Sequence, residues 1–291
     1  MKKSLSRPPL CVLAAACSAG VCHAAGATVV RDIPYAPAIG DCGLGDLHLP
    51  EGWHAGTPVV LQIHGGGWSA GDRRSWSGVA QFFTDELGFA SFNIEYRLAS
   101  EATHWPACAD DCAQAAAFLL SEAFASKHGL KPEKIWICGG SAGGHLALWT
   151  GLSLPAVQVA GIVSISGIGD PAPDFAVHAD RYDTLFGRSA RSDDLMHVDP
   201  RALLRNGAVP AILQTHADLD TVVPIASARN FEAAARAAGG DPQFFEYPRD
   251  IVPGIAGHRI WIPGSDPHRL IPAIEKRLAE FVLDTRAAPG F

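Results

Sequence analysis

The chain has 291 residues, 48% of them hydrophobic and 18% charged, which excludes a disordered polyelectrolyte and suffices for one large α/β core. Its formal net charge of −7, without a polybasic run, excludes the electrostatic footprint of a nucleic-acid or anionic-membrane partner. A small, neutral or weakly charged molecule is the expected partner.

Residues 1–24 have their own composition. Lys2, Lys3 and Arg7 precede an apolar stretch at positions 10–21, and the small residues Cys22 and Ala24 stand just before Ala25. This pattern predicts a secretory signal peptide, too short to span a bilayer, and a mature domain over 25–291 in a secreted or periplasmic setting. The alternative is a lipoprotein acylated at Cys17, but Ala14, Ala15 and Ala16 before it lack the usual leucine-bearing pattern. Removal of the segment leaves Cys42, Cys108, Cys112 and Cys138. Cys108 and Cys112 form the nearest pair for a bridge, although an i, i+4 spacing inside a helix suits a disulfide poorly. Cys138 is expected as a buried small hydrophobe, and no spacing of Cys and His suggests zinc.

Hydrophobic patterning predicts strands over 47–49, 59–64, 90–96, 134–139, 157–165, 211–216 and 243–247. Helices are predicted over 79–87, 110–128, 142–152, 226–238 and 268–284. Such alternation implies a mostly parallel sheet with helices on both faces. Between 167 and 206 the pattern breaks around Pro171, Pro173 and Pro200, which predicts an insertion. Because it follows a strand, it can lie over the crevice at the strands' carboxyl ends as a cap or substrate wall.

Gly139-Gly140-Ser141-Ala142-Gly143 lies between a short apolar run and a helical one. That context fits a nucleophile elbow, in which glycines permit a sharp strand-to-helix turn that exposes the serine. A serine hydroxyl is a weak nucleophile, so Ser141 needs a histidine to take its proton and a carboxylate to orient that histidine. Asp218 and Asp220 follow a predicted strand end. His258 follows the glycine-bearing loop 254–257, with His268 as a rival base that is otherwise expected to begin the last helix. His64-Gly65-Gly66-Gly67-Trp68 supplies successive glycines after a strand, so the amides of Gly66, Gly67 and Ala142 are assigned to an oxyanion hole. Trp68 is a candidate for the substrate pocket, the alternative being that it packs beneath the glycine loop. His64, His145 and His216 are expected as hydrogen-bonded scaffold, and Asp110 and Asp111 as helix caps and dipole partners. No metal or organic cofactor is required.

The glycine loop, Tyr96-Arg97-Leu98-Ala99, the elbow and His216 to Pro224 together resemble the α/β-hydrolase superfamily of esterases and lipases, over nearly all of the mature chain. Within it the pattern is similar to hormone-sensitive-lipase-like carboxylesterases and to the bacterial feruloyl-esterase-like group. The resemblance implies Asp220 as the triad acid, four residues before Pro224. It also implies an α/β-hydrolase fold with a short cap and an exported serine hydrolase that cleaves small-molecule carboxylic esters through an acyl-enzyme. Ser100 stands where those relatives usually carry proline. Two other readings are amide or formamide hydrolysis, because arylformamidases resemble the chain in the same glycine loop, and a non-catalytic binding module on a hydrolase scaffold. The second fits poorly with a sequence in which every triad member is present.

Overall fold

Val59–Ile63 is almost wholly apolar, as a strand covered on both faces must be. Leu61 and Ile63 enter one hydrophobic cluster and Val60 enters another on the opposite face. Ile135–Gly140 repeats the arrangement, with Ile135 and Ile137 on the first face and Trp136 and Cys138 on the second. This period-2 alternation makes each central strand a partition between two cores.

The computed structural model describes residues 28–248, 258 and 260–287. The expected signal segment 1–24, with Cys11, Cys17 and Cys22, and the loop 254–257 lie outside the described residues. Eight described strands form one open sheet: β1 (Thr28–Pro34), β2 (Leu44–Leu49), β3 (Val59–Ile63), β4 (Ala90–Ile94), β5 (Ile135–Gly140), β6 (Val159–Ile165), β7 (Ile212–Ala217) and β8 (Gln243–Tyr247). Their order is β1-β2-β4-β3-β5-β6-β7-β8. From β4 to β8 every pairing is parallel, whereas β2 runs antiparallel to both β1 and β4.

Helices α1 (Ser77–Asp85), α2 (Ala107–Leu119), α3 (Glu122–His128), α4 (Ala142–Ser153), α5 (Pro171–Phe175), α6 (Ala179–Phe186), α7 (Ala226–Ala237) and α8 (Pro272–Ala287) connect or flank the strands. Val79, Phe83, Leu278 and Phe281 of α1 and α8 fill one face; Leu119, Leu146 and Phe231 of α2, α4 and α7 fill the other. Each parallel crossover therefore delivers its next strand in the same direction, and the carboxyl ends of β3, β5 and β7 gather along one edge. The loops leaving those three ends carry the glycine loop, the elbow and Asp220.

Three boundaries differ from the sequence-based expectation. The single helix expected over 110–128 is two helices, because the Ser121 hydroxyl accepts the Phe124 amide at 3.1 Å and starts α3 anew. The last helix begins at Pro272 rather than at His268. Residues 260–271 instead fold back on themselves, with the Ile262 amide donating to the Arg269 carbonyl and the Ile271 amide to the Ile260 carbonyl, both at 2.8 Å. Strand β1 was not expected, and it is an edge strand in which only Ile33 is buried, so its sequence carries little apolar alternation. The segment 167–206 holds α5, α6 and two 3-10 turns.

Candidate active site

Ser141 stands between β5 and α4 with φ 55° and ψ −124°, a backbone conformation that costs a non-glycine residue on the order of 1–3 kcal/mol. Two features hold it there. The Ser141 amide donates to the Ile165 carbonyl of neighbouring β6 at 2.9 Å. Gly143 lies so close to β3 that a Cβ at this position would overlap the carbonyl oxygens of Ile63 and His64. A side chain there would push α4 off the sheet and unbend the turn.

β7 ends in the loop carrying Asp220, whose Oδ1 accepts the amides of Val222 at 2.8 Å and Val223 at 2.9 Å. Its Oδ2 lies 2.7 Å from His258 Nδ1. A carboxylate can only accept, so Nδ1 carries the proton and Nε2 presents a lone pair. Nε2 is 3.1 Å from Ser141 Oγ, which can donate to it. Burial opposes ionisation of Asp220, but the hydrogen bond and charge of His258, with His216 and the Val223 amide, outweigh it and hold the carboxyl below its usual range. The structure thus brings together Ser141, His258 and Asp220 from three separate parts of the chain. Asp218 is not in this hydrogen-bonded chain, and His268 is not bonded to Ser141.

The glycine loop leaves β3 beside the elbow. Gly66 has φ 122°, and a Cβ on it would overlap the Ala70 carbonyl. The Gly66 carbonyl accepts the amides of Ser69 and Ala70, which curls the loop. Among the described residues, the amides of Gly66, Gly67 and Ala142 have no hydrogen-bond partner, and Gly66 and Gly67 line the cavity in front of Ser141. These amides are donors available to an anionic oxygen at that point.

Behind the loop sits a polar scaffold. Tyr96 donates its hydroxyl to the His64 carbonyl at 3.0 Å and stacks on the His64 ring with centroids 4.3 Å apart. The Ala99 amide donates to the Trp68 carbonyl at 2.8 Å. Arg97, between them, is clamped by Asp111, which accepts its backbone amide, Nε and Nη2 at 2.7–3.1 Å. Asp111 is fully buried and is therefore an ion-pair anchor rather than a helix cap; Asp110 does lie in the first turn of α2. The Tyr96-Arg97-Leu98-Ala99 motif thus ties the glycine loop to α2.

His64, His145 and His216 are fully buried scaffold, as expected. His145 accepts the Trp68 indole N–H at Nδ1, 3.2 Å, and donates from Nε2 to the Val198 carbonyl at 2.7 Å. Burial lowers its pKa to about 4, because a proton on Nδ1 would face the indole donor with no water to solvate it. Trp68 is the residue the structure moves out of the pocket. It is fully buried beneath the loop, edge-on to His145 and Tyr182, and does not line the cavity. Its indole N–H needs a partner, and His145 supplies one only on the inward side.

The cavity in front of Ser141 has a volume of about 460 Å³. Besides Gly66, Gly67, Ser141 and His258, its walls include Trp76, Trp261 and Arg181, which the sequence does not single out, and His268, expected there only as a rival base. Trp76 and Trp261 meet edge to face at 5.1 Å, and His268 stacks on Trp261 at 5.6 Å. Arg181 of α6 closes another side, so the 167–206 segment reaches the cavity. A separate cavity of about 500 Å³, between Asp32, Asp41, Cys42, Arg73 and Glu95, contains no member of the Ser141 chain. Among the described residues no group of His, Cys, Asp and Glu side chains is arranged to hold a metal ion, and no helix is long and apolar enough to cross a membrane. Cys42, Cys108, Cys112 and Cys138 are free thiols; the Cys108–Cys112 bridge is not formed, and Cys138 is buried as expected.

Comparison with known proteins agrees with this architecture. The chain is 30% identical over 242 residues to Esterase LipQ of Mycobacterium tuberculosis, an alignment covering 75% of this chain and 55% of that protein. It spans about half the length, or less, of the first curated relatives it matches. A truncated carbohydrate esterase from gut microbiota superposes with TM-score 0.75 at 21% identity, covering 90% of this chain and 97% of that one. Esterase B from Lactobacillus rhamnosis superposes with TM-score 0.72 at 17% identity, covering 90% and 87%. The α/β-hydrolase fold expected from the sequence is thereby established. The BD-FAE family model matches residues 45–234, a span that holds the glycine loop, the elbow and Asp220, and by that match the chain belongs to the BD-FAE family.

Proposed function

We propose that the protein hydrolyses carboxylic esters through an acyl-enzyme on Ser141, with no metal or organic cofactor. The observation that carries this reading is the unbroken chain from Asp220 through His258 to Ser141, at 2.7 and 3.1 Å, ending on a serine held in a strained turn. Membership of the BD-FAE family and the similarity to Esterase LipQ support ester bonds as the target.

In the proposed reaction, His258 Nε2 takes the Ser141 proton as Oγ attacks the carbonyl carbon of the ester. The amides of Gly66, Gly67 and Ala142 receive the negative charge on the carbonyl oxygen. His258 then gives the proton to the departing alcohol oxygen, which leaves an acyl group on Ser141. Water enters, loses its proton to His258 and attacks the same carbon; His258 then returns that proton to Ser141 Oγ as the acyl–oxygen bond breaks, which releases the acid and restores the free enzyme. Asp220 stays ionised throughout and stabilises the imidazolium. The strained turn and the fixed amides are in place before substrate binds, so little reorganisation accompanies the charge development.

The test is hydrolysis of 4-nitrophenyl acetate by the purified chain and by Ser141→Ala. The variant is expected to lose kcat by about 10⁴-fold or more at an unchanged melting temperature. Activity that survives the substitution would contradict the assignment. The composition of residues 1–24 supports export to the periplasm or medium, with the 167–206 segment serving as the cap of the mature enzyme. Fractionation of cells producing the full chain is expected to find the activity outside the cytoplasm.

A further inference from the structure

The wall of the Ser141 cavity has a charge pattern that acyl transfer does not use. Its described ionisable lining residues are Arg181, His258 and His268, and none of them is acidic. Asp220 and Asp174, the carboxylates paired with His258 and Arg181, have no exposed side-chain area, and Asp72, which accepts from the lining Ser75, is not itself part of the lining. In a chain of net charge −7, a described site surface without a carboxylate is a local inversion of the overall balance.

Arg181 is placed by α6 and held from below. Its Nη1 donates to Asp174 at 3.0 and 3.3 Å, and the Tyr182 hydroxyl donates to the same carboxylate at 3.0 Å. The guanidinium is thus anchored through one nitrogen. Among the described residues, Nε and Nη2 make no hydrogen bond. Those two N–H groups point the same way, and their spacing matches the two oxygens of a carboxylate. The side chain is 18% exposed, so the fork is partly shielded from water, where an ionic hydrogen bond is stronger than on an open surface. Trp76, Trp261 and His268 line the same cavity and supply aromatic surface for the body of a ligand.

We infer that Arg181 determines specificity and that the preferred ester carries a free carboxylate, gripped by the Arg181 fork while the ester carbonyl faces Ser141. This inference rests on the proposed ester hydrolysis. It adds a substrate class: monoesters of dicarboxylic acids, or esters whose alcohol part bears a carboxylate.

The experiment compares two matched pairs. Mono-4-nitrophenyl adipate and 4-nitrophenyl hexanoate differ by a carboxylate in place of the terminal methyl on the acyl side. The acetates of 4-hydroxybenzoate and 4-methylphenol place the same difference on the alcohol side. The wild type is expected to favour the anionic member of one pair by about tenfold or more in kcat/KM, mainly through KM. That preference should weaken without vanishing in about 0.5 M sodium chloride, because a partly shielded ion pair is screened less than an exposed one. In Arg181→Gln it should fall by about tenfold, and Arg181→Lys should retain part of it. For the second pair, the quotient of variant and wild-type preference cancels the intrinsic difference in leaving groups.

A wild type with no anionic preference in either pair, or a preference that survives Arg181→Gln, would overturn the inference. If Arg181→Gln does not fold because Asp174 loses its partner, the wild-type preference and its salt dependence decide the matter. Failure to hydrolyse any of the four esters would instead remove the proposed reaction. Hydrolysis of the neutral members without an anionic preference removes only the role of Arg181.

Discussion

The two sides of the cavity are built on different principles. On one side, Ser141, the glycine loop and Asp220 sit on the ends of β5, β3 and β7, and backbone contacts hold them: the Ile165 carbonyl, the Gly143 approach to β3, and the Val222 and Val223 amides. On the other side, Arg181, Trp76, Trp261 and His268 come from short helices and turns and are positioned by contacts between side chains. The first arrangement preserves a geometry whatever surrounds it. The second allows the shape and charge of the site to change without disturbing the strands, as expected when chemistry is carried by a scaffold and specificity by its loops.

Substitutions on the strand-end side should stop the reaction or weaken the fold, whereas those on the wall should change substrate use. The largest effect is expected for Asp220→Asn. It preserves shape but removes the acceptor that sets the His258 tautomer, and kcat should fall by about 10⁴-fold with the fold intact. A fall of less than about tenfold would show that Asp220 does not orient His258.

Next in size is Asp111→Ala, which leaves the Arg97 guanidinium without its anchor beneath the glycine loop. Asp111 is buried but the Arg97 side chain is 34% exposed, so the loss of these charged hydrogen bonds is expected to cost about 1.5–3 kcal/mol, to be measured by urea denaturation. A loss under about 1 kcal/mol would mean that the motif does not brace the loop.

Acid should then loosen the same scaffold through His145. Its pKa falls from 6.5 to about 4 on folding, so the unfolded chain takes up the proton first as pH drops. The stability contributed by neutral His145 is complete above pH 6.5 and is lost by about pH 4, on the order of 3 kcal/mol. His48, lowered to about 4 by burial, adds to the same window. Melting temperatures measured between pH 7 and 4 should fall less steeply for His145→Gln, and identical slopes would exclude His145 as a source of the acid sensitivity. The smallest effect belongs to the wall. Trp261→Ala should raise KM by about tenfold with a smaller change in kcat, because it removes a ring that touches Trp76 and His268 and no reacting atom.

This contrast also explains what the sequence revealed. The elbow, the glycine loop and the strand end before Asp220 are local arrangements in which glycine or loop chemistry is required within a few residues, so they stand out in one dimension. The sheet was legible for the same reason, since Val59–Ile63 and Ile135–Gly140 are runs that only a doubly covered strand tolerates. His268 and Trp261 were not assigned to the pocket because they reach it through the fold-back of residues 260–271, which resembles the start of a helix in sequence. Arg181 lies on α6 within 167–206, where the alternation of strand and helix patterns breaks in the sequence, and its role depends on Asp174 seven residues earlier and on the distant elbow. Trp68 follows the glycine loop directly, yet whether it faced the substrate or the core depended on His145, a partner 77 positions away. The Asp111 anchor was hidden in the same way, since a buried acid at a helix start and a helix cap look alike until Arg97 is brought alongside.

The central claim, that Ser141 is the nucleophile activated by His258 and Asp220, is tested most directly by reaction with a fluorophosphonate followed by peptide mass spectrometry. The account predicts one label for each chain, on Ser141, with ester hydrolysis lost in proportion to labelling and no label on His258→Ala under the same conditions. An enzyme that hydrolyses esters while Ser141 remains unlabelled, or that is inactivated by a label on another residue, would contradict it.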